Sequence, residues 1–543
     1  MNRISCIVIE NPRKGATFLI QLPRTMLILL PILFMLITAL TLVILRFVRP
    51  NFKYPWMIAA GGSVLALISI FLWQIRLPQS ISMAPWQPVN LFFFAPTWLA
   101  DGISWPYALS MIALAAAVIW TSVVRAESSP SAWAATLLLT ALGILAVGAE
   151  NPLTLVLVWS AIDLAELVAM LRSTEGEEQN QGVVIAFAAR LAGTGLVLWA
   201  NLVSTAGGIL MSFRATPASA GIYLLIAAGL RLGVLPLHLP YRKENVLRRG
   251  FGTTLRLVSA AASLSLLARI PASALKSSLV PFLLVLAAVA ALYAGWMWLR
   301  ASDEILGRPF WVLGMASLSV AASLNGNPSG SIGWGVMLIL GGGLLFLFSA
   351  RQRNITWLPL LGLWGLSTLP FSPTASAWQT GNQTFWLAVI PFLPAQGLFM
   401  AGFIRHALHP GETSLESQER WTKVLYPTGL FMLAAMAILL GIWGWEGAGN
   451  LGQWWAAVIA NVLAAGFTAL ALTVLVRLKP ASSSSQWTRL FRLEWVYKTL
   501  TVFYDFFYRI AGLLTSSLEG EGGLLWSLLL LALILSVLST QGR

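Results

Sequence analysis

Two carboxylates and three guanidinium groups stand inside apolar stretches of this 543-residue chain: Asp163 and Glu166 in one stretch, Arg190, Arg231 and Arg256 in three others. A charge at the centre of a bilayer-spanning helix costs roughly 2.5–3.5 kcal/mol on insertion scales, so each needs a partner or an aqueous path. Asp163 and Glu166 are three residues apart and share one helical face. Carboxylates take up and release protons, whereas arginine stays charged. Two readings follow. In the first, Asp163, Glu166 and His238 form a remnant proton relay whose pKa values the arginines tune. In the second, the charges form a static buried network, retained because losing one partner strands the other at several kcal/mol. Two carboxylates against three permanent cations stay ionised, which suits a structural clamp better than a relay.

The elements that must hold these groups are membrane helices. The chain is 58% hydrophobic and 10% charged, where a soluble domain carries about 25% charged residues. Apolar runs long enough to span a bilayer recur about sixteen times, so the expected class is an all-α polytopic membrane protein. Its environment is the lipid bilayer. The net charge of +14 lies in short loops between spans, which excludes a nucleic-acid partner. Alternate loops rich in Lys and Arg, such as Arg242/Lys243/Arg248/Arg249 and Arg351/Arg353, define the expected cytoplasmic side and place both termini opposite it. The single cysteine, Cys6, gives neither a disulfide framework nor a thiolate site. His238, His406 and His409 are too scattered for a metal cluster, so no metal and no cofactor is expected. His406 and His409, beside Arg405 at a span end, read as interfacial anchors.

Two prolines interrupt spans. Pro236 follows Arg231 in Arg-Leu-Gly-Val-Leu-Pro-Leu-His, and Pro370 lies five spans later. Proline removes a helical hydrogen bond, and open backbone survives at membrane depth only within protein or a water-filled cavity. Paired breaks at corresponding positions suggest two inverted five-helix repeats. Near the end, Pro480 to Ser485 forms a polar hinge. Residues 478–521 then show apolar residues at helical spacing with interspersed Lys and Arg. This is either an amphipathic helix in the membrane interface or one packed on the protein's own flank. A final span follows near 522–540.

These residues resemble the antiporter-like membrane subunits of respiratory complex I and the related multisubunit sodium/proton antiporters, of the largest-subunit type. The family's seventh-span pattern, Lys-Ser-Ala-Gln-x-Pro-x-His, reads here Arg231-Leu-Gly-Val-Leu-Pro236-Leu-His238. Asp101-Gly-Ile-Ser-Trp-Pro-Tyr107 is similar to the approach to its third span, and Asn151-Pro-Leu-Thr to that of its fifth. Asp303-Glu-Ile-Leu-Gly-Arg308, followed by Gly314 and Ser317, resembles the stretch at its tenth. The resemblance implies N-terminal membrane helices over 1–130, an antiporter-like core over 131–410 and further helices over 411–477. The interfacial helix and final span occupy 478–543. It also implies other membrane subunits as partners, a multi-pass place in the inner (plasma) membrane, and proton movement along buried Glu and Lys residues.

The chain departs from that pattern where protons would move. Trp159-Ser160 replaces the family's Trp-Glu, and Arg231 replaces its lysine. The eighth span offers Arg256 but no Lys or His. Leu338 to Leu347 lacks the usual His and Lys, and no lysine follows Pro370. The second half-channel is therefore expected to hold no ionisable groups. The favoured function is a subunit that contributes to or scaffolds proton translocation in an NADH:quinone oxidoreductase-like or cation/proton antiporter complex. The alternatives are a membrane component of a non-respiratory ion or bicarbonate uptake complex, and a purely structural paralogue without an ion path. No phosphate loop, metal cluster or nucleophile–base pair marks an enzyme, and quinone chemistry would belong to partners.

Overall fold

The computed structural model describes residues 26–84, 95–124, 129–173, 177–238, 249–379, 386–409 and 411–475, with scattered positions between 501 and 532. The expected interfacial helix and final span lie outside the described residues except at those scattered positions, and so do Arg242, Lys243 and Arg248. Among the described residues the chain forms fifteen α-helices. The first five are α1 (Met26–Val48), α2 (Pro55–Gln74), α3 (Ser104–Thr121), α4 (Pro130–Val147) and α5 (Pro152–Leu171). The next five are α6 (Glu177–Ala206), α7 (Ala218–Arg231), α8 (Phe251–Arg269), α9 (Val280–Arg300) and α10 (Glu304–Leu324). The last five are α11 (Pro328–Phe346), α12 (Trp357–Leu366), α13 (Phe392–Ala407), α14 (Arg420–Trp443) and α15 (Trp454–Leu470). Twelve are long and apolar enough to cross a membrane, and α7 and α12 are shorter apolar helices. One antiparallel hairpin, β1 (Gln79–Ser82) with β2 (Thr97–Ala100), precedes α3.

Several helices begin on the same local chemistry. Ser129, Asn151 and Asn327 each cap the following helix by accepting a backbone N–H three residues on, and proline occupies the next position. Such a side chain satisfies one orphan donor, and proline lacks the N–H that would otherwise be another. Asp303 caps α10 in the same way. These caps fix where α4, α5, α10 and α11 start, and hence the height of every side chain along them.

The core sits around α3, α8 and α11, which are almost wholly enclosed, while α1, α2, α6 and α15 turn much of their surface outward. α8 packs on α4, α10 and α11, and α11 packs on α3, α12 and α14. Apolar residues cover the exposed sides of the outer helices, including Ile37, Leu40, Leu198 and Val462, as a lipid-facing surface requires.

Both expected breaks are present, but each begins before its proline. α7 stops at Arg231, and Gly233 takes φ +77, a left-handed conformation that glycine adopts without steric cost. The amides of Val234 and Leu235 then return to the Gly229 carbonyl. α12 stops at Leu366, and Thr368 (φ 56) and Phe371 (φ 63) flank Pro370 in left-handed conformations. Left-handed non-glycine residues store strain that only surrounding structure can hold.

Candidate functional site

The five buried charges meet. Arg231, the last residue of α7, grips Asp163 of α5 with both terminal nitrogens, Nη1 to Oδ2 at 2.6 Å and Nη2 to Oδ1 at 2.8 Å. Its Nη1 also donates to the Arg190 carbonyl (3.2 Å) and Thr194 Oγ1 (3.1 Å), and its Nε to Ser263 Oγ (3.2 Å). The guanidinium lies 4.1 Å from the Trp159 ring centroid, a cation–π contact that helps most when the cation is desolvated. One turn along α5, Glu166 takes two arginines. Arg190 of α6 donates from Nη2 to Oε1 at 2.7 Å and from Nη1 to Oε2, and Arg256 of α8 donates from Nη1 to Oε1 at 2.7 Å. All five side chains are buried. Two bidentate pairs, Arg231–Asp163 and Arg190–Glu166, tie α5 to α7 and α6, a planar geometry for which arginine is better suited than lysine, and a single bond from Arg256 adds α8.

His238 belongs elsewhere. It is buried on the α7 break, where its Nδ1–H donates to the Pro236 carbonyl (2.9 Å) and its amide to the Gly233 carbonyl (2.9 Å). The structure brings Asp163, Glu166, Arg190, Arg231 and Arg256 together and leaves His238 on the backbone turn beside them. Sequence reasoning missed Trp159, Thr194 and Ser263 as members of the set. Trp159 sits one turn before Asp163 on the same face, and that spacing was the one signal available.

Two further clusters anchor the ends of α8. At its start, Arg249 donates to Glu412 (2.8 and 2.6 Å) and lies 2.7 Å from Glu304, which also accepts from Arg351. At its end, Arg269 holds Asp101 with both terminal nitrogens (2.9 and 3.1 Å) and donates to the Val147 carbonyl. With 19 residues, α8 is about 28 Å long, so ion pairs hold it at both ends and through Arg256 in between. His406 corrects its expected role as an interfacial anchor. It is buried against Trp298, with ring centroids 4.4 Å apart and Nε2 bonded to the Trp298 carbonyl, because α9 and α13 pack together there.

Asp101 carries a pH dependence. Burial acts to raise its pKa, but the Arg269 guanidinium and the Ser104 backbone N–H outweigh it and hold the carboxyl below its ordinary 3.8. A carboxyl with a depressed folded pKa contributes stability above its unfolded pKa and loses it as pH falls through the folded one. Asp101→Asn is therefore expected to lower the unfolding midpoint at neutral pH. The gap to wild type should close as pH falls below 3.8. Thermal melts across that range check it, and a gap independent of pH would contradict the assignment.

The described segment from Ser367 to Gln379 carries no charged side chain, but it is far from apolar. Gln396 of α13 donates to the Leu366 carbonyl (2.8 Å) and accepts from Trp378 Nε1 (2.8 Å). Asn327 donates to the Ser376 and Ala377 carbonyls (2.7 and 3.1 Å), and Asn461 of α15 to the Ser367 carbonyl (2.9 Å). Thr374 Oγ1 donates to the Gly365 carbonyl at 2.7 Å. Neutral amides and hydroxyls satisfy the backbone that the break frees.

Protein-family models return no match to this chain, and neither do curated proteins. Solved structures do. A chain of the Mrp complex from a Dietzia species aligns with 96% of this chain at TM-score 0.68 and 14% identity. The fold is that of an antiporter-like membrane subunit. The chain spans 63% of the length of that Mrp chain. The membrane-bound sulfane sulfur reductase, an archaeal respiratory membrane complex, has a chain matched over its full length, covering 94% of this one at TM-score 0.63 and 14% identity. A chain of respiratory complex I from Thermus thermophilus covers 81% at TM-score 0.59 and 17% identity. The antiporter-like fold thus accounts for the twelve apolar helices of this multi-pass membrane protein.

Proposed function

We propose that this chain is a scaffolding membrane subunit of an energy-coupling complex of the cation/proton antiporter or NADH:quinone oxidoreductase-like kind, seated in the inner (plasma) membrane beside other membrane subunits. On this reading its first repeat carries a static charge clamp in place of a proton relay. The observation that carries it is the Arg231–Asp163 pair, bidentate and buried. Arginine stands where the resemblance would put lysine, and a guanidinium cannot release a proton to a neighbour. The second break supports the same reading, since the groups that bond its backbone, on Asn327, Thr374, Gln396 and Asn461, are neutral. Redox chemistry and any complete proton path then belong to partner subunits.

The test is proton flux in sealed vesicles carrying the native complex. A single change such as Asp163→Asn confounds mechanism with assembly, because it strands Arg231. The paired change Asp163→Leu with Arg231→Met removes both charges, and such replacements are often neutral for stability. Undiminished flux in the assembled double variant is expected. Loss of flux with intact assembly would establish a relay through Asp163.

A further inference from the structure

We propose that the corner of the bundle formed by the end of α1, the start of α2 and the start of α14 binds an anionic phospholipid. The turn between α1 and α2, Arg49 to Tyr54, lines a recess of about 470 Å³. Aromatic contacts fix its position against α3 and α14. Trp56, in the first turn of α2, donates from Nε1 to the Ile119 carbonyl of α3 at 2.9 Å. Its ring centroid lies 5.9 Å from that of Trp421, in the first turn of α14. Arg46, Arg49 and Lys53 are thereby brought to the same end of the bundle as Arg420 and Lys423, and all five are exposed.

Two features select the ligand. The first is charge that the protein leaves unpaired. Elsewhere at this end, Arg249 pairs with Glu304 and Glu412, Arg351 pairs with Glu304, and Arg405 donates to the Leu299 and Ala301 carbonyls. By contrast, none of the five basic side chains at the corner bonds to another described residue. Glu416 and Glu419 precede α14 and accept from Gln352 and Trp421. Five positive charges against these two negative ones leave an excess of three. The second feature is depth. Tyr54, Trp56 and Trp421 are of the residue types that settle at the level of lipid headgroups. Directly beside the cations, Phe47, Val48, Met57 and Val424 expose apolar side chains, Phe47 by 80%. A soluble anion would engage the charges and leave that surface bare. A phospholipid uses both, its phosphate among the cations and its acyl chains along the apolar side chains. Basic clusters beside a membrane helix attract anionic lipid for this reason. The site goes beyond the clamp reading and does not depend on whether protons move.

The experiment is thermal unfolding of the purified full chain in detergent micelles doped with phosphatidylglycerol, with phosphatidylcholine, or with inorganic phosphate alone, at constant ionic strength and pH. A ligand that binds only the folded state raises the midpoint, here by about 1–3 °C near saturation. Phosphatidylglycerol is expected to do so beyond phosphatidylcholine, and inorganic phosphate is not. The variant carrying Arg49→Gln, Lys53→Gln, Arg420→Gln and Lys423→Gln should lose that difference. Arg76→Gln with Lys276→Gln, exposed cations at the opposite ends of α2 and α8, should keep it. Native mass spectrometry of the wild-type chain in micelles holding both lipids equally gives a readout independent of any variant's folding. Phosphatidylglycerol should be retained in severalfold excess. Equal midpoints in the two lipids, an equal rise with inorganic phosphate, a difference that survives the fourfold variant or vanishes in the control, or equal retention would each overturn the proposal. The clamp reading would stand in every case, since it rests on flux.

Discussion

Glu166→Gln is expected to destabilise the protein by about 3–5 kcal/mol, the cost of leaving a buried charge without its partner. The substitution preserves shape, so the loss is electrostatic and not a cavity effect. It takes from Arg190 and Arg256 the carboxylate to which both donate. The companion variant, Glu166→Leu with Arg190→Leu and Arg256→Met, removes all three charges and should recover most of the loss. Apolar replacement of a whole buried network is often neutral or better, even when breaking it is severe. Unfolding midpoints and the fraction of monodisperse protein after extraction measure both. A triple variant as unstable as the single one would mean that the network serves something beyond mutual compensation.

Gly441→Val is expected to cost at least about 1–3 kcal/mol, the range for forcing extra carbon into a packed site. A Cβ at Gly441 of α14 would stand 2.2 Å from the Phe371 carbonyl oxygen and 2.9 Å from both Pro373 N and the Ser372 carbonyl carbon. These are backbone atoms of the second break and cannot swing aside as a side chain would. Either α14 retreats or the break shifts, and a shift strains the bonds from Gln396, Asn327 and Asn461. Increased protease cleavage or hydrogen exchange within 367–379 should accompany the fall in midpoint. Gly466→Ala in α15 is the control, since its Cβ meets nothing within 4 Å and alanine favours helix. A normal midpoint for Gly441→Val would show that α14 does not bear on the break.

The sequence was most legible where one physical preference acts alone. Apolar runs report lipid because unsatisfied backbone in hydrocarbon has a single general remedy, the helix. The capping residues Asn151 and Asp303 report helix starts because their partners lie three residues away. Less legible were the breaks. Pro236 and Pro370 marked the right neighbourhoods, yet the helices end at Arg231 and Leu366. Left-handed conformations at Gly233 and Thr368 decide those ends, and Thr368 holds such a conformation only under tertiary pressure.

By itself, the sequence determined that this chain crosses a membrane many times, that Asp163 and Glu166 share a face, and that three buried arginines must find partners. Only the tertiary structure decided the pairing: Arg231 to Asp163, Arg190 and Arg256 to Glu166. Those partners are 68, 24 and 90 residues apart, and every arginine could satisfy either carboxylate by charge alone. It also decided that the second break is splinted by neutral amides from α11, α13 and α15. The reason is the same in both cases. Hydropathy and capping are local quantities written along the chain, whereas the partner of a buried polar group is fixed by which helices pack together.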